Sequence, residues 1–374
     1  MMSDPENVFR KRLSWLAAGT LAAILAVAAS FFNMSSAEAG RNKATVESAY
    51  QSELPFLGSL PSLDGASTWL NSAPLSTAQL RGKVVLVDFW TYSCINCIRT
   101  LPHVREWADK YRDQGLVVIG VHTPEFGFEK DTTNIGKAIA RFKLDYPIAV
   151  DSEHRIWDTF HNIAWPVFYI ADAQGRLRAR FIGEGHYDEA EKVIQSLLAE
   201  AGRPDAMGPL AAPRANDEQA SPDIAHLRSG ETYVGYAQSS NFASRGGLKQ
   251  DVAHEYIGTM PDLNEWSLAG NWTVGAERAN LNRASGSIFY RFSARDLHLV
   301  LGPGADRKPV RFEVKIDGHA PGRDHGTDTD ADGKGVITET RLYQLVRQSG
   351  AVKNRTFEIR FLDAGVSAYA FTFG

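Results

Sequence analysis

Apolar positions follow two different patterns along the chain, and the pattern changes after about residue 201. Before that point, the continuous apolar runs at 84–90 and 116–122 predict strands that are buried on both faces. Strands that alternate with helices predict an α/β layered domain over residues 45–201. The other elements predicted there are strands at 166–172 and 177–183, and helices ending near 112 and spanning about 131–142, 152–160 and 187–201.

Residues 225–374 carry a period of two instead. Short apolar runs recur there, separated by Gly, Asp and Asn, which predicts an all-β sandwich of the jelly-roll kind. Between the two domains, residues 202–222 are rich in Pro, Ala and small polar residues without periodicity, which predicts a linker. The clearest alternating positions are Val310, Phe312, Val314, Ile316, Phe357, Ile359 and Phe361.

Residues 1–40 have the pattern of an export segment. Basic residues at 10–12 precede an uncharged apolar stretch at 13–32, and a small-x-small sequence follows at 37–39. The apolar stretch is long enough to span a bilayer, so a cleaved signal peptide and a retained single N-terminal membrane anchor both stay open. Either one predicts a periplasmic or otherwise extracytoplasmic protein.

Composition and charge narrow the classes of function. Of the 374 residues, 44% are apolar and 22% are charged, and the net charge is −4, as in ordinary soluble globular proteins. No basic cluster follows the export segment, which argues against a nucleic-acid binder. The chain holds two cysteines, Cys94 and Cys97, and export would place them in an oxidising or thiol-exchanging compartment.

A cysteine pair at this spacing can bind a metal, staple the chain or work as a redox pair. A structural zinc needs four ligands, and neither a second cysteine pair nor a His-x3-His element is present. A disulfide closing so small a loop stabilises the fold by only about 2 kcal/mol. A domain of this size gains as much by burying a couple of side chains. The redox use therefore explains the pair best.

At the start of a helix, residues i and i+3 face the same way, so Cys94 and Cys97 can close a redox-active disulfide after a small adjustment. The first sulfur meets unpaired backbone N–H groups and the positive end of the helix dipole, which favours the thiolate that attacks disulfides. Cys94 is therefore the predicted nucleophile, and Cys97 is predicted to resolve the mixed disulfide. No further cofactor is expected in this domain.

The motif resembles the active site of the thioredoxin family: a buried strand, then Trp90-x3-Cys-x2-Cys, then Pro102 five residues after the second cysteine. Pro102 matches the proline that kinks the active-site helix. The resemblance implies that Asp88 is a buried acid that helps to move the proton of the resolving thiol; a satisfied polar residue in the strand is the alternative. It also implies that Pro166, which follows Trp165, is a cis-proline facing the disulfide.

Three longer segments are similar to the extracytoplasmic C-terminal region of DipZ-type proteins, within the TlpA-like thiol–disulfide oxidoreductases. They are FWTYSCINCIRTLPHVREWADKY, GVHTPEF and IGEGHYDE. The resemblance covers about residues 45–374. It implies electrons from a CcdA-like or DsbD-like membrane partner and a tail like a carbohydrate-binding module. Ile95 and Asn96 replace the Gly-Pro of thioredoxins, so the direction of the reaction stays open, although the resemblance favours a reductase.

The β-rich tail offers two candidate ligand sites. Glycans stack on exposed aromatic rings, and Trp266, Trp272 and Tyr233 are candidates, the alternative being that such rings fill the core. Residues 328–339 match the spacing of a calcium loop, but no helices are predicted beside them, so an acidic hairpin turn is the alternative. The predicted calcium ligands are Asp328, Asp330, Asp332 and Glu339.

An exported thiol–disulfide oxidoreductase acting on protein disulfides is the leading hypothesis. A thiol peroxidase is one alternative, although the Pro-x3-Thr-x2-Cys pattern of peroxiredoxins is missing ahead of Cys94. A glycan-binding adaptor with a thioredoxin-like scaffold is another. The intact pair Cys94 and Cys97, with Trp90 and Pro166, argues against a scaffold alone.

Overall fold

A seven-stranded mixed sheet forms the centre of the α/β domain in the computed structural model, which describes residues 54–374. Its strands lie in the order β1-β7-β6-β3-β4-β5-β2. The strands are β1 (Gly58–Ser59), β2 (Thr68–Leu70), β3 (Val84–Trp90), β4 (Leu116–His122), β5 (Ile148–Val150), β6 (Val167–Ala171) and β7 (Arg176–Ile182). The helices are α1 (Ile95–Tyr111), α2 (Thr132–Phe142), α3 (Arg155–Thr159) and α4 (Tyr187–Glu200).

Strand β3 is the middle strand, parallel to β4 on one side and antiparallel to β6 on the other. All of its residues are buried, which confirms the prediction of a strand covered on both faces. Val84, Leu86 and Trp90 point to the face packed by α1 and α4, whereas Val85 and Phe89 belong to the core of the opposite face. Because side chains alternate along a strand, Asp88 lies on the α1 face.

Helix α1 begins directly after Cys94 and buries one side against β3 and α4. Pro102 lies inside this helix, at the place where the motif predicted a proline. Trp107 packs edge-on against Phe168 of β6, with ring centroids 5.5 Å apart. The cysteine pair is therefore carried by an element that the core of the domain holds rigidly.

The second half of the described chain is all-β, as its period of two predicted. Its eleven strands form one sheet that curls over itself, so that two layers face each other. Tyr290 and Phe371, from opposite layers, lie 4.9 Å apart between ring centroids. The strands are β8 (Thr232–Tyr233), β9 (Ala253–Tyr256), β10 (Trp266–Val274), β11 (Ala279–Leu281), β12 (Ser287–Phe292), β13 (Asp296–Gly302), β14 (Val310–Ile316), β15 (Lys334–Ile337), β16 (Arg341–Arg347), β17 (Arg355–Phe361) and β18 (Ser367–Phe373).

Strand β10 belongs to both layers. Its first residues, 266–269, pair with β12, and residues 270–273 pair with β9. The change of partner falls at Gly270, whose φ is +94° and where a Cβ would lie 2.9 Å from the Cα of Gly286. Only glycine fits such a close approach with a left-handed backbone, so this residue lets the strand cross from one layer to the other.

Strands β14 and β17 alternate between buried and more exposed residues as predicted, but β13 and β18 are buried on both faces. The second face of these two strands packs against the α/β domain. Val300, Leu342, Tyr369 and Ala370 join the hydrophobic cluster that contains α1. The two domains therefore share a core.

The segment predicted as a linker, residues 202–222, is packed along the α/β domain. Ala206 and Gln219 are buried within it. The backbone N–H of Ala211 donates to the carboxylate of Glu191 on α4, at 2.8 and 2.9 Å. Its path over the surface is thus held by specific contacts.

The predicted export segment, residues 1–40, lies outside the described residues. Within residues 54–374, no helix is both long and apolar enough to cross a membrane.

Candidate active site

Cys94 and Cys97 flank the first turn of α1. Cys94 occupies the position before the helix with an extended backbone (φ −82°, ψ 118°), and its carbonyl accepts the N–H of Ile98 at 3.0 Å. Cys94 is half-buried and Cys97 is fully buried, and both are free thiols. The sulfur that faces outward is therefore the one that the motif predicted as the nucleophile.

The Cys97 thiol is surrounded by groups that keep it protonated. Burial, the hydrogen bond with Cys94 and the nearby Asp88 raise the pKa of Cys97 well above its ordinary value, while a hydrogen bond with the backbone of Thr91 acts in the opposite direction. A buried thiol of this kind attacks slowly unless a base removes its proton. The site therefore needs a proton acceptor beside Cys97.

Asp88 is the candidate for this proton acceptor. Its side chain is 1% exposed, and neither carboxyl oxygen has a hydrogen-bond partner among residues 54–374. Burial raises the pKa of Asp88 from 3.8 to about 8. Asp88 thus changes protonation in the range where thiol chemistry operates, and its charge acts on Cys97.

Trp90 lies deep in the site rather than at its rim. The indole is fully buried, and it meets the ring of His122 edge-on at 5.1 Å. His122 in turn lies against Tyr92, with ring centroids 5.5 Å apart. Trp90 and Tyr92 belong to the hydrophobic cluster that contains Cys97 and against which Cys94 packs.

The loop before β6 lies beside the end of β3. The Trp165–Pro166 peptide bond is cis, as the resemblance implied. Val167 pairs with Phe89, which places Pro166 beside the strand end that leads to Cys94. The indole N–H of Trp165 donates to the carbonyl of Thr123 at 3.1 Å, which fixes this loop to the one after β4.

Glu129 holds the loop between β3 and α1, and nothing in the sequence pointed to it. It is fully buried and accepts hydrogen bonds from Ser93 Oγ at 2.5 Å, from the N–H of Glu125 at 2.5 Å and from the N–H of Phe126 at 3.0 Å. Burial raises the pKa of Glu129, and the hydrogen bonds from Ser93 and Thr91 oppose that rise. A lone glutamate in a polar loop carries no pattern, so only the folded chain reveals this contact.

Arg99 connects α1 to the β domain. Its guanidinium is buried, and its nitrogens lie 3.6 Å from a carboxylate oxygen of Glu184 and 3.7 Å from one of Asp296 on β13. Nε also donates to the carbonyl of Ala220 at 3.1 Å. The helix that carries the cysteines is therefore anchored to both domains two residues after Cys97.

Two family models match the chain, the "AhpC/TSA family" over residues 60–180 and the "Thioredoxin like C-terminal domain" over residues 229–374. The thiol-disulfide oxidoreductase YkuV of Bacillus subtilis is 36% identical over 141 residues, which cover 38% of this chain and 95% of that protein. The chain belongs to the thioredoxin-like thiol–disulfide oxidoreductases.

The protein DipZ of Mycobacterium tuberculosis is 37% identical to this oxidoreductase over 257 residues, which cover 67% of the chain and 36% of DipZ. The chain thus spans about a third of that relative. A solution structure of a thioredoxin-like protein in the oxidized form is 36% identical, with a TM-score of 0.36, and covers 38% of this chain and 96% of that one.

The aromatic residues predicted to bind glycans in the oxidoreductase do not form a sugar platform. Trp266 and Trp272 are fully buried, and their N–H groups donate to the carbonyls of Ser240 at 2.9 Å and Ala269 at 2.8 Å. Both rings fill the space between the two layers of the β domain, so neither can stack on a ligand. This corrects the expectation, because the period of two does not say which aromatic positions face outward.

Tyr233, the third candidate, is half-buried against the α/β domain. Its hydroxyl donates to the carboxylate of Glu125 and lies 3.1 Å from a carboxylate oxygen of Glu231. Its ring lies 6.1 Å from that of Phe126. Tyr233 therefore contributes to the contact between the domains.

The four carboxylates predicted as calcium ligands do not converge. Asp328 accepts a hydrogen bond from Arg341 at 2.7 Å, and Glu339 lies 3.3 Å from the same guanidinium. Within the described part of the oxidoreductase, no group of three or more acidic, histidine or cysteine side chains is arranged to hold a metal ion. Asp328 and Glu339 therefore share an arginine as their ion-pair partner. The other two are Asp330, which accepts the N–H of Lys334 at 2.8 Å, and Asp332, which lies 3.5 Å from Lys334 Nζ.

Proposed function

We propose that this protein reduces protein disulfides by thiol–disulfide exchange, with Cys94 as nucleophile and Cys97 as resolving thiol. The observation that carries the proposal is the arrangement at the start of α1. One sulfur is half-buried, its partner one turn along is fully buried, and an unpartnered carboxyl group is buried beside them. This combination suits a pair that opens a substrate disulfide and then closes on itself.

The Cys94 thiolate attacks one sulfur of the substrate disulfide, so that a mixed disulfide forms and one substrate thiolate leaves. The Asp88 carboxylate then accepts the proton of Cys97, whose sulfur attacks Cys94 and forms the Cys94–Cys97 disulfide. The second substrate thiolate leaves and takes up a proton. The substrate has gained two electrons, and the enzyme has lost them.

An external dithiol must return those two electrons. The resemblance to DipZ-type proteins supports a CcdA-like or DsbD-like membrane protein as that donor. The apolar pattern at 13–32 supports an extracytoplasmic location, where such a donor delivers electrons. Exported proteins with disulfides are then the substrates.

The test compares the wild type with Cys94→Ser and Cys97→Ser in the reduction of insulin by dithiothreitol. We expect Cys94→Ser to lose turnover by about 100-fold or more, because the attacking sulfur is gone. Cys97→Ser should instead accumulate a mixed disulfide with the substrate, visible by mass spectrometry. Wild-type turnover in Cys94→Ser would refute the proposal. Faster consumption of hydrogen peroxide than of insulin disulfides would favour the peroxidase alternative.

A further inference from the structure

Three buried polar side chains in the region of Cys97 lack a hydrogen-bond partner among the described residues. Asp88, Trp90 and Tyr146 are 1%, 0% and 3% exposed. Both oxygens of Asp88, the N–H of Trp90 and the hydroxyl of Tyr146 have no hydrogen-bond partner among the described residues. Buried polar groups in native proteins are nearly always hydrogen-bonded to protein or to an ordered water. This cluster therefore calls for a physical explanation.

Gly120 makes room for the cluster. It is the β4 residue paired with Asp88 of β3, so both lie on the α1 face of the sheet. A Cβ at Gly120 would lie 2.9 Å from Trp90 Nε1 and 3.2 Å from Tyr146 Cε2. Ile148 Cδ1 would be closer still, at 2.7 Å, so Ile148, Trp90 and Tyr146 together occupy the space that a side chain at position 120 would fill, beside the residue that pairs with Asp88.

The chain segment that carries Tyr146 is fixed in this position. The N–H of Gly120 donates to the carbonyl of Pro147 at 2.9 Å. The side-chain amide of Asn71 donates to the carbonyls of Leu144 and Tyr146, at 3.0 and 3.1 Å. These hydrogen bonds fix the backbone around Tyr146 beside β4, and its side chain is buried there.

The electrostatic surroundings tie Tyr146 to the cysteine chemistry. After burial, the charge of Asp88 is the next cause that raises the pKa of Tyr146, and Asp145 and Cys97 act in the same direction while Arg105 opposes them. The phenol therefore stays protonated and can only donate to an anion at working pH. His122, the remaining titratable group near Trp90, is kept neutral by burial, which lowers its pKa to about 3.

We propose that Tyr146 is a positioning residue that donates its phenol hydrogen, through one bridging water, to the ionised carboxylate of Asp88. This inference rests on the proposed function, in which Asp88 accepts the proton of Cys97. Tyr146 keeps its own proton throughout, and its donation stabilises the carboxylate before that transfer takes place.

The test uses Tyr146→Phe in the full chain, because this change removes one hydroxyl and keeps the ring. Closure of the Cys94–Cys97 disulfide is followed in single-turnover experiments between pH 6 and 10. Without the donor, the ionised form of Asp88 is less stable, so we expect the rate at pH 7 to fall about three- to tenfold. The rise of the rate with pH should move to higher pH by about half a unit or more.

Tyr169→Phe is the matched control. Tyr169 is also a buried tyrosine, but it lies on the opposite face of the sheet, where its hydroxyl lies 3.3 Å from the carbonyl of Phe160 and 3.3 Å from the side chain of Asn162. We expect its pH profile to match the wild type. Asp88→Asn should abolish the rise of the closure rate with pH. Adding Tyr146→Phe to Asp88→Asn should then have no further effect.

A direct readout keeps the inference testable if Tyr146→Phe is less stable. The carboxyl carbon of Asp88, labelled with 13C, reports its own titration by NMR, and we expect the midpoint to be higher in Tyr146→Phe. Suppose that Tyr146→Phe changes neither the titration midpoint of Asp88 nor the pH profile of disulfide closure, while Asp88→Asn does change that profile. This result would overturn the role of Tyr146 and leave the proposed function intact. Wild-type turnover in Cys94→Ser would instead overturn the proposed function itself.

Discussion

Asp88 lies on β3 between Leu86 and Trp90, away from any cation that pairs with it in the described structure. Burial holds its pKa at about 8 in the folded protein, compared with 3.8 for an exposed carboxyl group. Between these two pH values the folded chain holds a proton that the unfolded chain has released. Stability therefore falls as the pH rises through this window. The residue that the exchange reaction needs is one that the fold would be more stable without.

We therefore expect Asp88→Asn to raise the free energy of unfolding, by as much as ~4 kcal/mol at pH 7. The gain should grow from about pH 4 to about pH 8 and then level off, following the two values for Asp88. Urea denaturation at pH 5, 7 and 9 measures it. Asp109→Asn, on the exposed side of α1, is the control and should change little at any pH. A gain that does not depend on pH would contradict the role of burial.

Helices α1 and α4 are joined through one carboxylate, that of Glu191. It accepts hydrogen bonds from Lys110 Nζ at 2.7 Å, from the hydroxyl of Tyr111 at 2.6 Å and from the indole N–H of Trp107 at 3.0 Å. The backbone N–H of Ala211, in the segment that follows α4, donates to the same carboxylate. Burial pushes the pKa of Glu191 upward, but the hydrogen bonds and Lys110 outweigh it and lower the pKa. The carboxylate thus stabilises the packing of both helices.

Glu191→Gln should lower the free energy of unfolding by about 2–4 kcal/mol at pH 7, because an amide cannot accept all of these donors. Since the folded pKa is depressed, the contribution is present above the unfolded value of 4.5 and is lost as the pH falls below it. The difference between wild type and variant should therefore shrink in denaturation curves measured near pH 3. Glu189→Gln, exposed on the same helix, should behave like the wild type at both pH values; a comparable loss there would count against the hydrogen-bond network.

At the scale of the molecule, the two domains share buried surface and buried charge. Side chains of β13, β16 and β18 join the core around α1. Arg99 reaches Asp296 across the interface, and Arg141 on α2 lies 3.6 Å from Glu339 of the β domain. The described residues also group into one unit by their contacts, without a division between the domains. Such an interface favours unfolding as one cooperative body.

We expect a single unfolding transition, and amide hydrogen exchange should give the same free energy of opening in β4 and in β17. Arg99→Met should lower both by the same amount, about 2–4 kcal/mol, because Glu184 and Asp296 lose a buried cation. Arg112→Met is the control, since the side chain of Arg112 is 54% exposed and such a pair contributes little. Two separate transitions, or a loss confined to one domain, would contradict the shared interface.

Much of the architecture is visible in the sequence. The apolar run at 84–90 predicted the central strand, and the alternation in β14 and β17 predicted an all-β domain. The position of Cys94 and Cys97 at a helix start followed from the helical stretch predicted after that strand. These are local features, because the period of a pattern states which element forms and which of its faces is apolar.

Tertiary structure decided what lies against each face. The burial of Trp266 and Trp272, the two-sided burial of β13, and the contact of Glu129 with Ser93 all depend on segments distant in sequence. An aromatic residue in a strand suits a core or a binding surface equally well, and a polar residue in a loop carries no period. The sequence by itself therefore determined the elements and the cysteine chemistry. Packing alone decided the partners of each side chain, because those contacts join residues that no local pattern connects.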